Sequence, residues 1–156
     1  MRRSCRPDWL PLLWTFYVFG YQVQFWWASF ELSELETWSL TVFLAILLYS
    51  VLLFAAGGLV LPHDAARHEE GLRVYFERDG RLGVVLLNVY VLIAPVFNVL
   101  LFDTPLSDPL NLSLVGLGLF GLSFPLLRSR GLQTAHTMVW GIAGTILFFR
   151  LSPAAY

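Results

Sequence analysis

Nine of the ten basic residues in this chain, all of them arginine, fall in three short segments separated by long apolar runs. The segments hold Arg2, Arg3 and Arg6, then Arg67, Arg73, Arg78 and Arg81, then Arg128 and Arg130; Arg150 stands alone. The connections between them carry acids instead, Glu31, Glu34 and Glu36 in one and Asp103 and Asp108 in the other. Membrane proteins retain basic side chains in cytoplasmic loops, so this alternation predicts both a span count and an orientation. It predicts an all-α integral membrane protein with five transmembrane helices at about 9–30, 38–61, 82–102, 110–127 and 132–149. The N-terminus is expected in the cytoplasm and the C-terminus outside. The apolar run that follows Met1-Arg2-Arg3 is too long for a cleaved leader and has no small-x-small cleavage site, so it is expected to remain as the first span.

Helices are required because lipid cannot hydrogen-bond a bare backbone, and about 20 residues of helix cross a hydrocarbon core of about 30 Å. With only 13% charged residues, against about 25% in soluble domains, the 156 residues leave no room for a separate soluble unit. Residues 1–156 therefore read as one membrane-embedded domain. The connections at Glu31–Thr37, Asp103–Pro109 and Arg128–Gly131 are short. Short connections make consecutive helices antiparallel neighbours, which predicts an up-down bundle.

The second-to-third connection, 62–81, is longer and cytoplasmic by the charge rule. Its apolar residues Leu72, Val74, Tyr75 and Phe76 lie among Arg73, Glu77 and Arg78. Two structures suit that pattern: a short amphipathic helix lying in the membrane interface, or a prolongation of a neighbouring span into water. Asp8 is placed to cap the first helix. Trp26, Trp27 and Trp38 cluster at the predicted outer boundary and Trp9 at the inner one, where tryptophan anchors a helix at headgroup depth.

No Asp, Glu or Arg lies inside any predicted span. Coupled transporters and pumps use mid-membrane ionisable groups, so secondary transport is disfavoured. What remains are neutral polar residues at helical spacing. Asn88 and Asn98 share a stripe in the third span, with Tyr17, Tyr21 and Gln24 in the first and Gln133, His136 or Thr137 and Trp140 in the fifth. These stripes are expected to hydrogen-bond across helices. The alternative is a ligand site or pore lined by Tyr17, Tyr21, Gln24, Asn88, Asn98, His136 and Trp140.

The best metal candidate is the loop run around His63, Asp64 and His68, where Asp64 and His68 share a helical face. A solvated turn accounts for the same residues. No nucleophile stands beside a base in sequence, and Asn111-Leu112-Ser113 is a glycosylation sequon at the membrane surface. No motif specifies a cofactor, and no basic stripe favours nucleic acid as a partner. The lone Cys5 excludes an internal disulfide.

Arginine without lysine points to a GC-rich bacterial genome, and with it to a bacterial inner membrane. The leading expectation is a small non-enzymatic membrane protein that forms a homo-oligomer or serves as an accessory subunit, with lipids and membrane subunits as partners. A channel or facilitator with a neutral polar lining, and a sensor or enzyme using the 62–81 loop, are the alternatives.

Overall fold

The computed structural model describes residues 8–30, 32, 39–61 and 72–151. Five helices account for nearly all of them, and no strand occurs among the described residues. Helix α1 spans Trp9–Ala28 and starts where Asp8 accepts the Leu10 N–H at 3.2 Å. Pro11 falls in the first turn, where a missing N–H costs nothing. The buried residues Leu10, Trp14, Val18, Tyr21 and Gln24 recur every three or four positions and form one inward stripe.

Helix α2, Leu40–Val60, is capped by the Ser39 hydroxyl, which accepts the Val42 N–H at 3.2 Å. Its buried residues are Leu53, Ala56 and Val60, all near its C-terminal end.

Helix α3 runs over Leu72–Phe102. It opens as α-helix at Leu72–Tyr75, passes through a π-helical turn at Phe76–Gly80, and continues as α-helix over Arg81–Phe102. The stretch 72–81 is therefore helical and prolongs the third helix. Tyr75 and Phe76 do not lie in an interface: both are buried, and the Tyr75 hydroxyl donates to the Leu59 carbonyl at 3.2 Å. A π turn inserts one residue and rotates the register, which brings Phe76, Gly80 and Val84 onto the inward side. Arg73 and Glu77 pair at 3.1 Å on the exposed side of the same turn.

Pro95 does not interrupt α3. Pro95 leaves the Val91 carbonyl without its usual N–H donor, and the carbonyl of the preceding residue, Tyr90, accepts the Tyr49 hydroxyl at 3.1 Å.

Helix α4, Pro109–Leu122, begins with Asp108 accepting the Leu110 N–H at 2.8 Å and Pro109 in the first turn. It ends in a 3₁₀ turn, Phe124–Leu126, because Pro125 cannot continue the α-helical ladder. Helix α5 spans Arg130–Leu151.

Each helix packs against its chain neighbours, with α3 held most extensively between α2 and α4, and α1 closes the ring against α5. Gly83 allows α3 to approach α2 closely, since a Cβ there would come within 2.8 Å of the Ala56 carbonyl oxygen.

Among the described charged residues, Arg73, Arg78, Arg81, Arg128 and Arg130 lie at one end of the bundle with Asp8, Glu77 and Asp79, and Asp103, Asp108 and Arg150 lie at the other. The lateral surface is apolar: Phe16, Leu40, Phe54 and Leu126 stand largely exposed. Three helical stretches, Leu40–Val60, Leu72–Phe102 and Pro109–Leu126, are long and apolar enough to cross a membrane. The described residues thus form an all-helical structure with three helices long and apolar enough to span a membrane.

Candidate functional site

The centre of the bundle is closed by a joint of three helices. Asn88 on α3 is fully buried. Its amide donates to the Val84 carbonyl, and its carbonyl oxygen accepts the indole N–H of Trp140 on α5, both at 2.8 Å. Gly121 of α4 makes room for it: any Cβ at that position would overlap the Asn88 side chain. Trp14 of α1 packs on Trp140 at 4.9 Å between ring centroids and meets Phe124 edge-on at 5.3 Å. An asparagine without these partners would be costly at this depth. Here it ties α3 to α5 and fills the interior.

Beyond this joint, toward the end bearing Asp103 and Asp108, lies a cavity of about 110 Å³. Its lining extends from Leu32 and Phe102 near that end to Tyr21 and Tyr90 nearer the centre, and includes Gln24 and Asn98. Tyr49 and Tyr90 stack face to face at 4.0 Å with planes 7° apart and form a rigid side of it. The Asn98 amide donates to the Asn111 side-chain oxygen at 2.7 Å, and the Asn111 amide donates to the Pro105 carbonyl at 3.0 Å. Asn111 is fully buried, so its sequon side chain is committed to joining α3, α4 and the loop between them.

The residues expected to line one site are thus divided among several places. Tyr21, Gln24 and Asn98 meet at the cavity. Tyr17, Tyr21 and Trp140 line a second space, a groove of about 190 Å³ between α1 and α5. Asn88 is locked in the central joint.

His136 sits nearer the arginine-bearing end, stacked on Phe120 at 4.1 Å. Its Nε2 is 2.9 Å from the Phe120 carbonyl and 3.1 Å from the Ser123 hydroxyl. A carbonyl only accepts, so Nε2 carries the proton. The Ser123 hydroxyl donates to the same carbonyl at 2.6 Å. Its proton is committed there, and the histidine presents it with a donor instead of a base. This serine–histidine contact, invisible in the sequence because 13 residues separate the pair, is structural and does not activate a nucleophile.

His63, Asp64 and His68 lie outside the described residues, and among the described residues no three potential ligands gather around a metal position.

The sequence also gave no sign of a cluster at the arginine-bearing end. Arg130 pairs with Asp8 and donates to the Gln133 side-chain oxygen at 3.1 Å, while the Gln133 amide donates to the Leu127 carbonyl at 2.9 Å. The ion pair links residues 122 positions apart and registers the start of α1 against the start of α5.

No family model, curated protein or solved structure matches the chain. The arrangement itself offers binding surfaces of aromatic and neutral polar character, with no reactive pair or charged relay at membrane depth among the described residues.

Proposed function

We propose that the chain is a five-span integral membrane protein with its N-terminus in the cytoplasm. On this reading it works without catalysis, by assembling with copies of itself or as an accessory subunit of a larger membrane complex. The observation that carries the reading is the inside-out distribution of the bundle around a filled centre. Trp14, Leu87, Asn88, Val91 and Trp140 are fully buried, while large apolar side chains cover the outside. Support for α1 and α5 as spans comes from their lengths, 20 and 22 residues, and from their lateral packing within the same ring.

The assembly reading draws on α2. Only 11% of its most apolar window is buried within its own bundle, against 33% for α3 and for α4 with its 3₁₀ turn. Helices in lipid associate through packing rather than through water exclusion, and α2 is the helix with most packing surface to offer. Native mass spectrometry from mild detergent and crosslinking in native membranes test this. A discrete oligomer or a stoichiometric partner is expected, and a lone monomer in native membranes would overturn it. A reporter fused after Tyr156 should be active only outside the cytoplasm.

One observation favours a second reading, a facilitator of neutral solutes. On this orientation the cavity lies in the outer half of the bundle, and its lining extends inward to Tyr21 and Tyr90. Conduction would require the Asn88–Trp140 joint to part. Flux in liposomes that exceeds empty vesicles and is lost in Asn98→Leu would support it.

A further inference from the structure

The arginine-bearing end of the bundle carries more positive charge than it neutralises. Among the described residues, three of its arginines have acidic partners: Arg73 with Glu77, Arg78 with Asp79, and Arg130 with Asp8. Those pairs use every described acid at that end, and Arg81 and Arg128 are left without a carboxylate. Both belong to one corner of the fold. Arg81, where α3 resumes as α-helix, donates through Nη1 to the Pro125 carbonyl at 3.3 Å, in the 3₁₀ turn that ends α4. Arg128 follows that turn by two residues and is exposed. The Pro125 carbonyl takes up one of five guanidinium donors and cancels no net charge. Arg81 Nε is enclosed and closed to any ligand, whereas Nη2 has no partner and is not enclosed.

We propose that Arg81 and Arg128 hold the phosphate of an anionic phospholipid at this corner. The level of the two residues in the bilayer identifies the ligand. Leu82, next to Arg81, is 53% exposed, and Leu126, two residues before Arg128, is 79% exposed. Leu126 also closes the apolar stretch Pro109–Leu126. Both segments thus pass from a lipid-facing leucine to an arginine within one or two residues, which is where acyl chains give way to phosphates. A phospholipid meets both parts, its phosphate at the guanidiniums and its chains along the leucines; a soluble phosphate meets only the first. A zwitterionic lipid brings its own cation to the site, whereas phosphatidylglycerol leaves the phosphate charge uncancelled. Bound there, the lipid joins α3 to the end of α4 and, by binding the folded form alone, stabilises the corner. The inference requires only that α3 and α4 cross the bilayer. Neither oligomerisation nor the number of spans enters it, so either can fail without the other.

The test uses the full-length protein in mild detergent, titrated with phosphatidylglycerol or phosphatidylcholine of identical acyl chains and read by native mass spectrometry. Near a membrane surface each arginine contributes roughly fivefold to binding an anionic lipid. Phosphatidylglycerol should therefore bind about twentyfold more tightly than phosphatidylcholine, and its advantage should shrink as ionic strength rises. Arg81→Gln and Arg128→Gln should each weaken phosphatidylglycerol by roughly fivefold and leave phosphatidylcholine unchanged.

Arg73→Gln separates position from charge. It removes one positive charge from the same end, at an exposed residue already paired with Glu77, and should change phosphatidylglycerol binding by no more than about twofold. Arg128 is exposed and makes no hydrogen bond or ion pair, so Arg128→Gln keeps the proposal testable even if Arg81→Gln folds poorly. Equal affinity for the two lipids, or equal losses in Arg73→Gln and Arg128→Gln, would overturn the proposal. Glycerol 3-phosphate, a phosphate ester without acyl chains, should not displace the lipid at millimolar concentration. Displacement would overturn the lipid assignment and identify a site for soluble phosphates.

Discussion

The two ends of the bundle are built differently. At the arginine-bearing end the helices converge: Leu53, Ala56 and Val60 of α2 and Phe76, Val84 and Leu87 of α3 are buried together. Side chains there are cross-tied by Asp8–Arg130, Gln133–Leu127, Tyr75–Leu59 and Arg81–Pro125. At the other end no residue of α2 before Leu53 is buried, and none of α3 beyond Pro95. Space opens there around Tyr49, Tyr90 and Asn98. One end is a clamp and the other a receptacle. Closely packed cores resist deformation, whereas loosely packed regions accept a ligand or a small motion at low cost. Function is therefore to be sought in the open half, and stability in the closed one.

Removing the hinge between the two halves should have the largest effect. Trp140→Ala deletes a fully buried indole and strips Asn88 of its partner. A loss of about 3–5 kcal/mol is expected, measured as the fall in unfolding midpoint during titration with sodium dodecyl sulfate. A loss below about 1 kcal/mol would mean that the centre is not the rigid joint described, and the contrast between the halves would fail.

A smaller effect is expected from untying the clamp. Asp8 both caps α1 and pairs with Arg130, and the Asp8 side chain is 10% exposed. Asp8→Ala should cost about 1.5–3 kcal/mol, the range for a hydrogen bond to a charged group. Since α1 and α5 are tied at this point, hydrogen exchange should rise first in the opening turn of α1. Uniform exchange along α1 would show that the pair does not set its register.

How much of this was legible beforehand depends on the range of the interaction. Local signals carried through: Asp8 caps α1, and the apolar runs are helices. The start of α3 was harder to read, because Arg73, Glu77 and Arg78 suit either a loop or a helix emerging into water. The π turn that buries Tyr75 and Phe76 breaks the 3.6-residue period on which such a reading depends.

The polar stripe containing Asn88 and Asn98 was visible, but their partners, Trp140 on α5 and Asn111 on α4, are chosen by tertiary packing. Tyr49 gave a faint signal as a lone tyrosine in a leucine-rich helix; its stack on Tyr90 gave none. The Asp8–Arg130 and Ser123–His136 contacts join separate helices, beyond the reach of any local pattern.

The smallest effect belongs to a matched pair of substitutions, and it cuts most directly between the two halves. Ala56 is fully buried at the clamp, where its carbonyl already lies close to Gly83, whereas Ala94 lines the open cavity. Replacing each with leucine adds the same three carbons in a helix. At Ala56 the added volume has nowhere to go, and overpacking should cost about 1–3 kcal/mol. At Ala94 it enters empty space, so stability should stay within about 0.5 kcal/mol of wild type. The same detergent titration reads both. Equal losses would show that the receptacle is as tightly filled as the clamp; a loss at Ala56 alone would locate the protein's deformable volume in the half that carries the cavity.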